Sequence, residues 1–451
     1  MAVVEIQADR RSEVTFSGGR AGSGPATWGQ QAIWDVVRNL GTDAARYNVS
    51  GGMPLPSPVP ADRVEAAVRS LVLLHESLRT RLRSADDGRL DQVVHASGGI
   101  PLVTRFAAGE AVTEAAYALR DELLAVPFDA TREWPLRVGV VHAGGGIRYV
   151  VFFLSHTASD GWGLRNLLAD FATLVHGTLP QRDLLQPLEE AAFQTSDRGR
   201  RRDAAARRSW LSKLGSGPAS MFPARAGTAP AATFPNAVLN SPALGLALDR
   251  VAADLSVTPA SVVLAAAAAS ATRITGVDEA VFQVVVNNRF LPGMADGVTT
   301  IAQEGLFHLT GTRVAFPDLV RRTFGAAMSA QRHAYYDKLA LDRDVAALDS
   351  TCDHSCFVND QRGLMPALGF AAPAPTPLRE ALTRTTLTWP VEHEPRRGVS
   401  FALDAQDAPG ALELAMTADS ALMPRDDMTT FLYGIEELIV TQALDTQALD
   451  A

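Results

Sequence analysis

The stretch SHTASDGWG, Ser155–Gly163, decides the reading of this sequence. It follows two apolar runs, Leu136–His142 and Ile147–Leu154, separated by Gly144, Gly145 and Gly146. Two such runs around a glycine turn predict a β-hairpin. After the polar cluster, Leu164–Val175 carries apolar residues at helical spacing and predicts a helix. The cluster therefore sits at a strand-to-helix junction, where side chains can point into a cleft. Within it, His156 is the candidate for proton transfer, because imidazole ordinarily titrates near pH ~6.5. The competing reading of His156 is a core histidine with its polar atoms satisfied. Neighbours on a strand ending point to opposite faces, which argues against Ser155 and His156 acting as a catalytic pair. No GxSxG stands elsewhere to suggest a hydrolase.

Towards the N-terminus, Ala61–Leu74 predicts an amphipathic helix with Val64, Val68, Leu71 and Val72 on one face, running into LHESLRTRLR. The preceding PLPSPVPADR reads as a proline-rich connection, and Trp28, Gln31 and Trp34 share a helical face after Thr27. Gly18–Gly24 (GGRAGSG) reads as a loop, since it lacks the Lys-Ser/Thr ending of a phosphate loop. A strand is expected around Leu90–His95 and a helix over Thr113–Leu124.

Towards the C-terminus, Asp183–Arg208 is polar and Arg-rich and reads as a solvated linker and helix start, with docking of an acidic partner as the sharper alternative. A Pro/Ala/Gly-rich loop spans Gly215–Pro235. Thr258-Pro259 is a helix start, and Gly276 closes the Ala-rich helix that follows. Ala280–Val286 is an unbroken apolar run, so a strand buried on both faces is expected. Leu319–Leu339 and Asp427–Leu444 predict helices, and Phe401–Asp404 and Leu412–Met416 predict strands. The closing TQALDTQALDA is expected to fray. Cys352, His354 and Cys356 alternate and would share a face of a strand; a fourth zinc ligand is not evident, so packing is the preferred reading and no metal is expected.

The chain has 451 residues, enough for two domains or one large pseudo-repeated unit. A net charge of -9 argues against a nucleic-acid partner. Two cysteines and no basic-then-apolar leader point to the cytoplasm, and the longest apolar run, Val262–Ala269, is too short to span a bilayer.

SHTASDG resembles the HHxxxDG signature of the condensation domains of nonribosomal peptide synthetases, with Ser155 in place of the first His and His156, Asp160 and Gly161 matching. PATWGQQAIW, LHESLRTRLR, VPFDATREWPLRVGVV, EGLFHL and RHAYYDKL resemble further motifs of that family, in its order, so the resemblance covers roughly residues 25 to 440. It implies an α/β fold of two chloramphenicol-acetyltransferase-like lobes forming a V-shaped pseudo-dimer, with mixed sheets flanked by helices. The expected division is residues 1–180 for the N-terminal lobe, carrying the signature, and 181–451 for the C-terminal lobe. A tunnel would admit a donor thioester on a phosphopantetheine arm from one face and a nucleophile from the other.

The resemblance assigns catalysis to His156. It makes Asp160 architectural, paired with Arg289 across the lobes, because a buried carboxylate needs a partner. Gly161 is expected to supply a permissive backbone position and Ser155 a structural one; Trp162 is read either as tunnel wall or as core packing. The implied function is amide or ester formation between a carrier-bound acyl donor and an amine or hydroxyl nucleophile, free or carrier-bound. The carrier protein would be supplied in trans, with no permanently bound cofactor, membrane or nucleic acid. The alternative, motivated by Ser155, is a non-catalytic relative that docks a carrier or recruits a tailoring enzyme. An acyl-CoA acyltransferase and an epimerase-like relative are lesser alternatives.

Overall fold

The computed structural model describes residues 9–84, 89–108, 111–223, 233–364, 376–393 and 398–450. Residues 224–232 of the expected Gly215–Pro235 loop lie outside the described residues. The chain divides into two compact units. The first is Met1–Arg201 with Asn287–Ala302 and Asp337–Leu339; the second is Arg202–Val286, Gln303–Tyr336 and Ala340–Ala451. Residues 181–201 thus pack with the first unit, and so does the excursion that carries Arg289.

In chain order the first unit holds β1 (Arg10–Phe16), β2 (Gly22–Pro25), α1 (Trp28–Leu40), β3 (Val49–Val59), α2 (Ala61–Leu74), β4 (Thr80–Ser84) and β5 (Leu90–Val94). These are followed by β6 (Gly98–Phe106), α3 (Val112–Leu124), β7 (Leu136–Ala143), β8 (Gly146–Leu154), α4 (Gly161–Leu174) and α5 (Pro187–Thr195). The five-stranded sheet runs β1-β6-β7-β8-β3, and β2-β5-β4 form a small second sheet. The β7–β8 hairpin is antiparallel, whereas β6 and β7 run parallel. Val141, Val151 and Phe153 pack with Ala116 of α3, while Phe152 meets Phe171 of α4 edge to face at 5.1 Å. Covered on both sides, β8 is apolar at nearly every position and its end is held firmly.

The second unit contains most of α6 (Asp197–Leu214), then β9 (Phe234–Ser241), α7 (Pro242–Asp254), α8 (Pro259–Thr275), β10 (Glu279–Val286), β11 (Gln303–Thr310) and α9 (Phe316–Arg332). There follow α10 (Lys338–Ala346), β12 (Cys356–Asp360), α11 (Leu378–Leu382), β13 (Thr386–His393), β14 (Phe401–Ala408), β15 (Ala411–Ala418) and α12 (Arg425–Asp450). Its seven strands run β11-β10-β12-β14-β15-β9-β13. The Thr258 hydroxyl caps α8 at Ser261 N–H, and Gly276 ends that helix at φ 73°. The Ala-rich face of α8 is buried in the core. The mixed α/β architecture agrees with expectation. Among the described residues no single helix is long and apolar enough to cross a membrane.

Several local expectations are corrected. Gly22–Gly24 is not loop but part of β2, paired with β5. The proline-rich connection is largely β3; it lies at a sheet edge and shifts register between Pro54 and Val59, a place where missing N–H groups are tolerated. The connector 183–208 contains α5 as well as the expected helix start, the first two-thirds of α6. The helix expected to Leu339 stops at Arg332, because Tyr335 and Tyr336 turn inward and the Gln303 amide takes over the Tyr336 backbone groups at 3.0 and 3.3 Å. Val285 is 37% exposed, so β10 is not buried on both faces throughout. The terminal repeat continues α12 to Asp450. Cys352 and His354 precede β12 and only Cys356 lies within it, which removes the shared strand face.

Candidate active site

Strand β8 ends at Leu154, and Ser155–Asp160 forms the link to α4. Ala158 N–H donates to the Ser155 carbonyl at 2.9 Å, so Ser155 and His156 lie in a turn. The expectation that strand alternation separates them is therefore corrected: the turn, not the pleat, sets their directions. The Ser155 hydroxyl is buried and shares a hydrogen bond with that of Thr157 at 2.8 Å. It closes the turn on itself and makes no bond to His156.

Asp160 anchors the other end of the link. It is 2% exposed and accepts Gly163 N–H at 2.8 Å as the N-cap of α4. Arg289 grips it with both terminal nitrogens, Nη1 to Oδ2 at 2.9 Å and Nη2 to Oδ1 at 2.7 Å. The backbone N–H groups of Ile301 and Ala302 add donations to Oδ2 at 3.1 and 3.0 Å. Burial alone would raise this carboxyl; Arg289 and the backbone donors outweigh it and hold it below the ordinary 3.8. The expected pair thus forms, with a correction: Arg289 lies beyond β10 in the segment 287–302, and both partners belong to the first unit. Asn288, before it, takes a φ of 53° and donates to the Ile301 carbonyl at 2.9 Å, which turns the segment back on itself.

His156 lies between these two anchors. Its ring sits 6.2 Å from that of Tyr47, tilted by 38°. Nδ1 is buried, and it has no hydrogen-bond partner among the described residues. Gly161 opens α4 with ordinary helical backbone, so the permissive conformation expected of it is not used. Trp162 is half-buried, with the Arg165 guanidinium 5.2 Å above its ring. LHESLRTRLR is architectural: His75 Nε2 meets Asp170 Oδ2 at 2.8 Å in the core, and Arg79 donates to the His95 carbonyl at 2.7 Å. Burial lowers the His75 pKa despite Asp170.

Sequence reasoning missed Tyr47, Thr157 and the backbone donors at 301 and 302. Tyr47 ends a 3-10 helix, Gly41–Tyr47, and shows no periodicity. The backbone donors carry no residue-type signal at all. Among the described residues no group of three or more His, Cys, Asp or Glu is placed to hold a metal.

The condensation-domain family model matches residues 22–358, well over half of the chain. This chain belongs to the condensation-domain family. The match takes in the β8–α4 turn just described, and the family's general reaction is amide- or ester-forming condensation. It is similar to the probable non-canonical nonribosomal peptide synthetase CymA of Salinispora arenicola, at 32% identity over 149 residues. That match takes in 33% of this chain and 2% of CymA, so the chain spans a small fraction of the relative. In fold it is similar to the condensation domain of the monacolin K polyketide synthase MokA, with a TM-score of 0.72, 17% identity and 94% and 98% of the two chains covered. It is also similar to the X-domain solved in complex with OxyB from teicoplanin biosynthesis, with a TM-score of 0.66, 19% identity and 95% of each chain covered.

Proposed function

We propose that this condensation domain transfers an acyl group from a phosphopantetheine thioester to an amine or hydroxyl, giving an amide or ester in natural-product biosynthesis. The donor rides on an acyl or peptidyl carrier protein supplied in trans, in the cytoplasm. One observation carries the reading: within the signature link, the flanking Ser155 and Asp160 are fully engaged while His156 keeps its buried Nδ1 uncommitted. A base that must accept a substrate proton needs that freedom.

In this reading the nucleophile attacks the thioester carbonyl and loses its proton to the imidazole. The tetrahedral intermediate then collapses, the C–S bond breaks, and the proton leaves with the thiol. The Asp160–Arg289 node makes no substrate contact; it fixes the turn that aims His156, the kind of alignment whose loss costs orders of magnitude in rate. Tyr47 stands beside the ring as a wall for the reacting groups.

A second reading rests on Ser155, which occupies the place of the signature's first His: a non-catalytic scaffold that docks a carrier or recruits a tailoring enzyme. The X-domain similarity points the same way, since that relative was solved with OxyB. Intact-protein mass spectrometry of candidate acyl carriers, with and without this chain and a nucleophile, separates the two. Acyl loss from the carrier with product formation supports transfer; stable complex formation without acyl loss supports the scaffold.

A further inference from the structure

Glu436 of α12 is 5% exposed, and among the described residues no lysine, arginine or histidine pairs with it. Burying a carboxylate without a cation is costly, so such groups are ordinarily paired. Its Oε1 is served by two hydroxyls: Ser241 at the end of β9 donates at 2.5 Å, and Thr385, just before β13, donates at 2.6 Å. Ser241 also accepts Leu244 N–H at 3.0 Å as the N-cap of α7, which leaves its own proton for Glu436. The second carboxylate oxygen, Oε2, has no hydrogen-bond partner among the described residues.

Glu436 lines a cavity of about 490 Å³ that lies wholly within the second unit, walled by α8, α11 and α12. Small-molecule sites span roughly 300–1,000 Å³. Gly434 lets α12 lie close against α8: a Cβ there would fall 2.9 Å from the Ser270 hydroxyl oxygen. Leu382, Val440 and Tyr433 contribute apolar lining. Two arginines stand at the cavity, and they differ. Arg273 is neutralised by Glu437 at 2.7 Å. Arg379 is exposed and makes no ion pair or hydrogen bond among the described residues.

We propose that this cavity binds a free α-amino acid with an apolar side chain. The ammonium meets the unpaired Oε2 of Glu436, the carboxylate meets Arg379, and the side chain lies against Leu382, Val440 and Tyr433. Charge-assisted bonds at both ends of one small molecule satisfy the two groups that the protein leaves unsatisfied. A simple cation would leave Arg379 without a partner, and a simple anion would face Glu436. No bond is made or broken, and none of these residues is His156 or one of its anchors, so the proposal does not rest on acyl transfer. A Glu436 that served only to tie Ser241 and Thr385 to α12 predicts no binding.

The test is isothermal titration of the full chain with L-phenylalanine, phenethylamine, which lacks the carboxylate, and N-acetyl-L-phenylalanine, which lacks the ammonium. Phenylalanine should bind saturably, with Kd on the order of 1 mM or tighter. Phenethylamine should bind roughly tenfold more weakly, and the N-acetyl compound not measurably. Arg379→Met should weaken phenylalanine roughly tenfold and leave phenethylamine unchanged, since only the carboxylate contact is lost. Glu436→Gln keeps an oxygen for the two hydroxyls and should weaken both amines roughly tenfold or more, with the fold checked by thermal melting. His156→Ala should bind as wild type does. Absence of phenylalanine binding, equal binding of either truncated compound, or unchanged binding in folded Arg379→Met or Glu436→Gln protein overturns the proposal. So does loss of binding in His156→Ala, which would place the amino acid at the candidate active site instead.

Discussion

Two residues four positions apart in the same link live in opposite environments. Asp160 is almost wholly buried and accepts from Arg289, Gly163, Ile301 and Ala302. His156 shares the link, yet its buried Nδ1 has no hydrogen-bond partner among the described residues. Under the proposed function the difference divides the labour: charge and hydrogen bonds are concentrated where the chain is held, and withheld at the group proposed to move a proton. It predicts that damage at Asp160 lowers stability, and rate only through the turn it holds, whereas damage at His156 lowers rate alone.

The largest effect on stability is expected at the anchor. Asp160→Ala and Arg289→Ala each orphan a buried charge and should each cost about 3–5 kcal/mol, with the double variant well below the sum. Chemical denaturation of the four proteins measures this, and additive losses would break the comparison. Gly29 in α1 offers a route to the same node from outside. A Cβ there would fall 1.9 Å from the Thr300 carbonyl oxygen, next to the Ile301 donor. Gly29→Ala should therefore cost about 1–3 kcal/mol through backbone displacement.

Acid should act on the anchor in the same direction. A carboxyl whose folded pKa lies below its unfolded value contributes stability above that unfolded value, and the contribution is lost as pH falls through the folded pKa. For Asp160 the loss begins below about pH 3.8 and deepens by up to about 1.4 kcal/mol per unit. Asp160→Asn should flatten that part of the profile; an unchanged slope would remove Asp160 from the account. Ser155→Ala comes last, at about 0.5–1.5 kcal/mol for the lost bond to Thr157, with little effect on rate. A large rate loss at unchanged stability would place the Ser155 hydroxyl in the chemistry.

Much of this was legible in the sequence where the signal is local. Helix Ala61–Leu74, the hairpin either side of Gly144–Gly146 and the cap-to-cap helix from Thr258 to Gly276 follow from spacing and end residues. The signature named His156 and Asp160, and the wider family resemblance named Arg289. What was hidden depends on distant partners. Pro54, Pro56 and Pro58 read as a break until β8 supplies a strand for them to flank. The helix to Leu339 is cut by the Gln303 side chain, about thirty residues upstream. The excursion of residues 287–302 into the first unit has no sequence mark, since its donors to Asp160 are backbone groups.

The central claim is that His156 moves the proton while Asp160 only holds the turn. Single-turnover acyl transfer from a loaded carrier, measured for wild type and His156→Ala alongside thermal melting, tests it most directly. The account predicts a rate loss of about 10²–10⁴-fold, the usual weight of general-base catalysis, with a melting temperature close to wild type. A folded His156→Ala protein that transfers its acyl group at near-wild-type rate would contradict it.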